Sequence, residues 1–448
     1  MVSAFINAFK IPDLRKKLLF TLGMLVVYRM GCYIPTPGIN GAQLAEFFNR
    51  VTSTQGGALF GIMNMFSGGA IERLTIFALG IMPYISCSII IQLLTAIVPA
   101  LERIAKEGKT GHQKITQYTR FGTVVLAVIQ SFFIALWLEN PERFQGFQIV
   151  TDPGWGFRIL TILTLTTGTI FIMWIGEQIQ ERGVGNGISL VIAAGIISRI
   201  PSAGYQLYLL LSPFSPTKRT LEPYKILIML VLLVGVVLAV TLITQAQRKI
   251  PVQYARRIVG RKIYGGQSTY LPLKIDQSGV IAIIFAQSLI LFPATIASFI
   301  PNESFQNLAQ SLIRGHILYT IVYALLIIFF CYFYTAIVFN PDDIAENMKK
   351  HGGFVPGIRP GVNTAEHLDY IMTRLTLTGA LFMAFIAIFP DFIMAWLKIP
   401  YLVASFFGGT GILIIVGVML DTIRQIESHL LTRHYEGFIK AGRIKGRR

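Results

Sequence analysis

Ten long apolar runs cross this chain, at 18–37, 74–98, 121–138, 158–178, 187–211, 225–246, 279–300, 316–339, 371–390 and 401–423. A bilayer's hydrocarbon core is about 30 Å thick, and a helix needs roughly 20 apolar residues to cross it. The runs are too long for buried strands. Lipid offers no partner for open backbone, so each is read as a transmembrane helix. Composition agrees: hydrophobic residues make up 53% of 448 and charged residues 14%, and the mean hydropathy is +0.61. The expected fold is an all-α polytopic membrane protein with ten spans.

The basic residues set its orientation. Of 39 Lys and Arg, 27 fall in the N-terminal segment, in the loops after spans 2, 4, 6 and 8, and in the tail. Short loops rich in Lys and Arg stay cytoplasmic, which places both termini on that side. Lys10, Arg15, Lys16 and Lys17 precede span 1 as they would in a signal peptide. The apolar run behind them is too long and no small-residue cleavage site follows, so an uncleaved first span is expected.

The net charge of +17 has an ordinary use, because basic loops lie against anionic lipids at about 1 kcal/mol per residue. Two clusters go beyond that need. One is Arg248, Lys249, Arg256, Arg257, Arg261 and Lys262, with no acid until Asp276. The other is Lys440, Arg443, Lys445, Arg447 and Arg448 in the tail. Lipid apposition and docking of an acidic or RNA-bearing cytoplasmic partner both fit this charge.

Catalytic chemistry is missing from the sequence. Cys32, Cys87 and Cys331 have neither metal-like nor disulfide spacing, and the six histidines are scattered. Gly183-Val-Gly185-Asn-Gly187 has no βαβ unit around it and reads as a tight turn that starts a helix. Gly408-Gly409-Thr410-Gly411 lacks the Lys of a phosphate-binding loop. No cofactor, metal or enzymatic activity is expected. Ion-coupled carriers place ionisable groups near the midplane, and the middles of these spans are almost free of charge. Arg29 is read as snorkelling from the outer end of span 1. Arg199, beside Pro201 and Gly204, marks a break or end in span 5, and Glu177 lies at the cytoplasmic end of span 4. Backbone carbonyls remain as a route to Na⁺ binding.

Residues 57–66, with Leu59, Phe60, Ile62, Met63, Met65 and Phe66, form an apolar helix-compatible segment about half the length needed to cross. It is either an interfacial helix on the outer surface or a re-entrant one that stops a cavity. Pro83 in span 2 and Pro293 in span 7 should each kink their helix.

At these residues the chain resembles the bacterial SecY family, the channel subunits of the general protein translocon. The match is ordered along nearly the whole chain. It includes Phe66-Ser-Gly-Gly69, Ile76-Phe-Ala-Leu-Gly-Ile-Met-Pro-Tyr-Ile85, Gly176-Glu-Gln-Ile179 and Glu181-Arg-Gly-Val-Gly-Asn-Gly-Ile-Ser189. It continues through Pro251-Val-Gln-Tyr-Ala255, Tyr264-Gly-Gly-Gln-Ser-Thr269, Phe354-Val-Pro-Gly-Ile-Arg-Pro-Gly361 and Phe407-Gly-Gly-Thr410.

The resemblance implies a channel in the bacterial cytoplasmic membrane. Unfolded secretory polypeptides would pass through it, and signal sequences and transmembrane segments would leave it sideways between spans 2 and 7. It implies two pseudo-symmetric halves around an hourglass pore: 18–211 with spans 1–5, and 212–428 with spans 6–10 and large cytoplasmic loops at 247–278 and 340–370. Segment 1–17 and the basic tail 429–448 flank them. Implied partners are SecE and SecG in the membrane, the SecA ATPase, the ribosome and nascent polypeptides.

Six pore-ring positions carry over: Ile81 and Ile85 in span 2, Ile188 and Ile192 in span 5, Ile284 in span 7 and Ile414 in span 10. A ring of aliphatic side chains dewets a constriction and resists ions. Segment 57–66 matches the family's plug. Ser86, Gln92, Gln287 and Phe292 are lateral-gate candidates. Arg256, Arg257, Arg261, Lys262 and Arg359 match positions that contact SecA or the ribosome. Ala282 stands where some members have Pro. Another class, a secondary transporter of a small apolar or amphipathic solute, would need a buried coupling site instead.

Overall fold

The computed structural model describes residues 11–52, 64–140, 144, 147, 149–211, 222–254, 257–259, 262–264, 268–299, 317–397 and 410–441. Span 1 is α1 (Pro12–Gly31), followed by an amphipathic helix α2 (Gly41–Thr52). Span 2 is α3 (Met82–Ile97), and α4 (Pro99–Lys106) turns off it by 99°. Spans 3 and 4 are α5 (Lys109–Leu138) and α6 (Trp155–Arg182). Span 5 is split into α7 (Gly187–Ile197) and α8 (Ile200–Leu211), with Arg199 in the break, and span 6 is α9 (Pro223–Gln245). Spans 7 and 8 are α10 (Val280–Phe299) and α11 (Ile317–Val338), and α12 (Pro341–Lys350) follows. Spans 9 and 10 are α13 (Val362–Leu397) and α14 (Thr410–Ala441), the latter carrying the start of the expected tail as helix.

The surface confirms a lipid-facing molecule. On α9, Leu227, Leu230, Val231, Val234 and Leu238 all point outward, which in water would be an untenable apolar face. Inside, Thr119, Thr123, Ser131 and Thr169 return their hydroxyls to the carbonyl four residues earlier. Such bonds satisfy polar groups within one helix where no water is present.

Two expectations need correction. Span 1 ends at Gly31 rather than 37, because Pro35 and Pro37 cannot continue a helix. Pro83 does not kink span 2. It sits in the first turn of α3, where its missing N–H costs nothing, and residues 67–81 before it run as turns. The loop after span 6, read from the sequence only as a large loop, takes up strands. It forms β1 (Gln247–Tyr254), β2 (Arg257–Val259), β3 (Lys262–Tyr264) and β4 (Ser268–Lys274). β1 pairs antiparallel with β4, placing Ile250 opposite Leu271, and its other edge pairs with β5 (Gly353–Phe354). Ile250 and Val252 alternate inward along β1 while Arg248 and Lys249 stay exposed, the period-two pattern of a half-buried strand.

At the junction of this β-ribbon with spans 7 and 10 lies a polar cavity of about 130 Å³ lined by Asp276, Ser278, Asp421 and Arg424. Asp276 is buried. Its Oδ1 accepts from the Ser278 hydroxyl at 2.9 Å and the Gly279 N–H at 2.8 Å, while Oδ2 has no partner among the described residues. Burial pushes this carboxyl above the usual carboxylate range, against the pull of those two donors. A carboxyl raised in the folded state stabilises most below its ordinary pKa, and that contribution is lost as pH rises through the raised value. Asp276→Asn, which mimics the neutral form, should therefore raise the unfolding midpoint of the detergent-solubilised protein at pH 7. The gain should vanish in acid. Equal midpoints for the two proteins across the whole pH range would contradict this.

Candidate functional site

Five of the six isoleucines singled out above belong to one buried apolar cluster. Ile81, Ile85, Ile192, Ile284 and Ile414 are members, each at most 4% exposed, and the half-buried Ile188 packs against it. They arrive from spans 2, 5, 7 and 10, which are distant in sequence. Their convergence follows from close backbone approaches. A Cβ on Gly187, at the start of α7, would collide with the Gly176 carbonyl of α6, and one on Gly168 would collide with the Ile76 carbonyl. Those contacts seat the segment leading to Ile81 and the first turn of α7 against span 4. Asn186 caps α7 by accepting from the Ser189 N–H, so the Gly-rich stretch is the helix-starting turn expected of it.

Met65 and Phe66 lie in the same cluster, 3% and 1% exposed. Leu59, Phe60, Ile62 and Met63 lie outside the described residues. Next to the isoleucines opens a cavity of about 230 Å³, lined by Ile85, Ile188, Ile192 and Ile284 together with Ser88, Gln92, Gln180 and Asn186. It is part apolar and part polar, and the isoleucines close one side of it.

Residues 64–72 are tied down by polar contacts that the sequence reading missed. Arg29 does not merely snorkel: its Nη1 donates to the Gly68 carbonyl at 2.9 Å. Arg199 Nη1 reaches Glu72 Oε2 at 3.0 Å. Spans 3 and 4 are stapled at both ends, by Arg120–Glu177 at 2.8 Å and Arg158–Glu139 at 2.6 Å. The available signal was charge of opposite sign near span ends, which does not reveal its partner.

The gate candidates lie in different surroundings. Spans 2 and 7 pack against each other, and Ser86 and Gln287 are buried. Gln287 Oε1, however, accepts from Tyr319 of span 8 at 3.3 Å, and Gln92 donates to Ser88 of its own helix at 3.1 Å. Phe292 is half-buried beside the exposed Pro293.

On the face bearing the β-ribbon, Arg359 is exposed on a loop whose Val355 is buried with Ile250, Leu273, Leu368, Ile371 and Met372. Gly357 and Gly361 on either side hold φ of +83° and +109°, which only glycine adopts readily. The Thr364 hydroxyl donates to the Arg359 carbonyl at 2.9 Å. Arg257 and Lys262 stand opposite Tyr264 and Val259 in the β2–β3 hairpin. Arg256 and Arg261 lie outside the described residues.

A buried apolar cluster drawn from four distant spans, inside a surface made for lipid, defines a multi-pass helical membrane protein. The chain matches the SecY family over residues 75–423. It is 47% identical over 438 residues to the protein translocase subunit SecY of Escherichia coli strain K12, covering 97% of this chain and 96% of that one. It is 46% identical to the same subunit of Streptomyces coelicolor, covering 98% and 100%. The chain belongs to the SecY family and is a protein-conducting channel. Two solved structures share its fold. "The structure of a protein conducting channel" has TM-score 0.59 at 19% identity, covering 94% of this chain and 96% of the other. Sec61 in the canine ribosome–channel complex from the endoplasmic reticulum has TM-score 0.56 at 18% identity, with the same coverage.

The burial difference within the isoleucines is measurable. With Cys32, Cys87 and Cys331 already buried, Ile188→Cys on the cavity wall should react with a water-soluble maleimide well before Ile414→Cys, which is fully buried. Equal rates would mean that the cluster is open to water.

Proposed function

We propose that the six isoleucines form the channel's constriction and that residues 57–66 plug it. The channel would pass unfolded secretory polypeptides across the bacterial cytoplasmic membrane and release transmembrane segments into it. The observation that carries this reading is the single cluster joining Met65 and Phe66 to isoleucines of spans 2, 5, 7 and 10. Branched aliphatic side chains offer a sliding polypeptide no hydrogen bonds and offer ions no ligands. Spans 1–5 and 6–10 act as two halves clamped about this constriction. Signal sequences exit where α3 meets α10, with Ser86, Gln92, Gln287 and Phe292 tuning that seam. Both termini face the cytoplasm, where basic loops meet anionic lipids.

The channel catalyses nothing itself. Its drive comes from outside, from SecA or a translating ribosome, with SecE and SecG as membrane partners. The neighbouring structure of a ribosome-bound Sec61 supports the ribosome's part. The exposed Arg359, the β2–β3 hairpin with Arg257 and Lys262, and Arg256 and Arg261 next to it in sequence supply the contact surface.

Deleting residues 57–66, or substituting Ile414→Asn, should raise the ion conductance of reconstituted channel and let substrates with defective signals through. An unpaired amide in an apolar site costs about 1–3 kcal/mol, enough to shift a closed state by roughly 5- to 150-fold. Unchanged leak and unchanged signal stringency in both variants would sink the plug and ring. Arg359→Glu inverts the charge of a bidentate donor. It should abolish most ATP-dependent import into vesicles and weaken SecA binding, while membrane insertion and SecE binding persist. Normal import by that variant would remove this loop from the drive.

A further inference from the structure

The Glu72 side chain and backbone close the stretch from Asn64 to Glu72 into a loop. Asn64 and Glu72 form a reciprocal pair: Asn64 Nδ2 donates to Glu72 Oε2 at 3.0 Å, and the Glu72 N–H donates to Asn64 Oδ1 at 3.2 Å. The same Oε2 accepts from Arg199 Nη1 at 3.0 Å. Arg199 occupies the break between α7 and α8, its side chain 13% exposed. Between these anchors the backbone of Gly68, at φ +66°, lies against Gly195 of α7: a Cβ on Gly68 would come within 3.0 Å of the Gly195 Cα. One carboxylate thus joins Asn64, just before Met65 and Phe66, to span 5.

We infer that Glu72 and Arg199 are positioning residues that set how strong a signal must be to open this channel. The inference rests on the reading of residues 57–66 as a plug. Withdrawing that segment moves Asn64 away from Glu72, and Glu72 cannot follow without leaving Arg199. The closed arrangement therefore carries the free energy of a half-buried, charge-assisted pair that the open one lacks. A signal sequence can shift that equilibrium only by its differential affinity for the open state. The pair thus sets a threshold, and loosening it admits weaker signals without touching the constriction or any surface a signal contacts. A residual helix break explains why span 5 can present an arginine here. Ser198 and Arg199 end α7 in a turn, so the guanidinium reaches across rather than along the helix.

The test uses the full chain with its membrane partners in proteoliposomes and in cells. Glu72→Gln, Arg199→Gln and the double variant are compared with wild type, each with and without residues 57–66. Two quantities are read: ion conductance, and export of a reporter whose signal carries a charge in its apolar core. Partly buried polar contacts within membranes are worth factors of about 3 to 30 in equilibrium. Each single variant should raise both readouts by about that factor, and the double variant should be no worse than the more severe single. None of the substitutions should add leak once residues 57–66 are gone. Equal abundance and equal unfolding midpoints check that the variants fold. Wild-type stringency in both single variants, additive effects in the double, or added leak in the shortened channel would each overturn the inference alone. A channel that stays tight after deletion of residues 57–66 overturns the plug reading, and this inference with it.

Discussion

Hydrocarbon cannot hydrogen-bond a peptide group, and every later feature of this molecule answers to that fact. The spanning backbone must close its own bonds, so it is helical wherever it meets lipid. Among the described residues, the irregular stretch 67–81 packs into protein: its Ala70, Phe77 and Ile81, and Phe66 just before it, are all at most 2% exposed. Its turns are closed internally, as where the Gly69 N–H donates to the Asn64 carbonyl and the Thr75 N–H to the Ala70 carbonyl. Because the chain turns there instead of crossing as a helix, it brings Met65 and Phe66 into the centre and starts span 2 at Met82.

The same constraint sorts the charges. Arginines within or beside the spans find oxygen close by. Arg29 takes a carbonyl, while Arg120, Arg158 and Arg199 take carboxylates. Each pair joins two segments, which gives the bundle fixed register where apolar packing alone would let helices slide. Removing one partner leaves a charge in a poorly hydrated place, a cost that usually exceeds the worth of the pair itself.

Where water returns, the chain uses a sheet. The strand β5 from the loop after span 8 adds to β1 from the loop after span 6, and one apolar cluster locks the two together. Two basic loops far apart in sequence thereby become one platform, and Arg359 projects from it on a loop braced by left-handed glycines. Gly357 and Gly361 fix the backbone on either side of Arg359, so its place relative to the sheet is set by the fold.

The sequence by itself determined the class, because length and apolarity of a run dictate helix in lipid without reference to any neighbour. It also determined the turn at Gly183–Gly187 and the break at Arg199, where local backbone preferences decide. It identified the six isoleucines only through kinship, since any isoleucine in an apolar span looks like every other. Tertiary structure decided which of them meet, that Pro83 begins a helix instead of bending one, that the large loops pair as strands, and that Glu72 belongs to Arg199. Each of those depends on contacts between residues tens to hundreds of positions apart. A pattern read along the chain reports what a segment prefers, whereas a constriction, a sheet between loops and an ion pair exist only once the helices have packed.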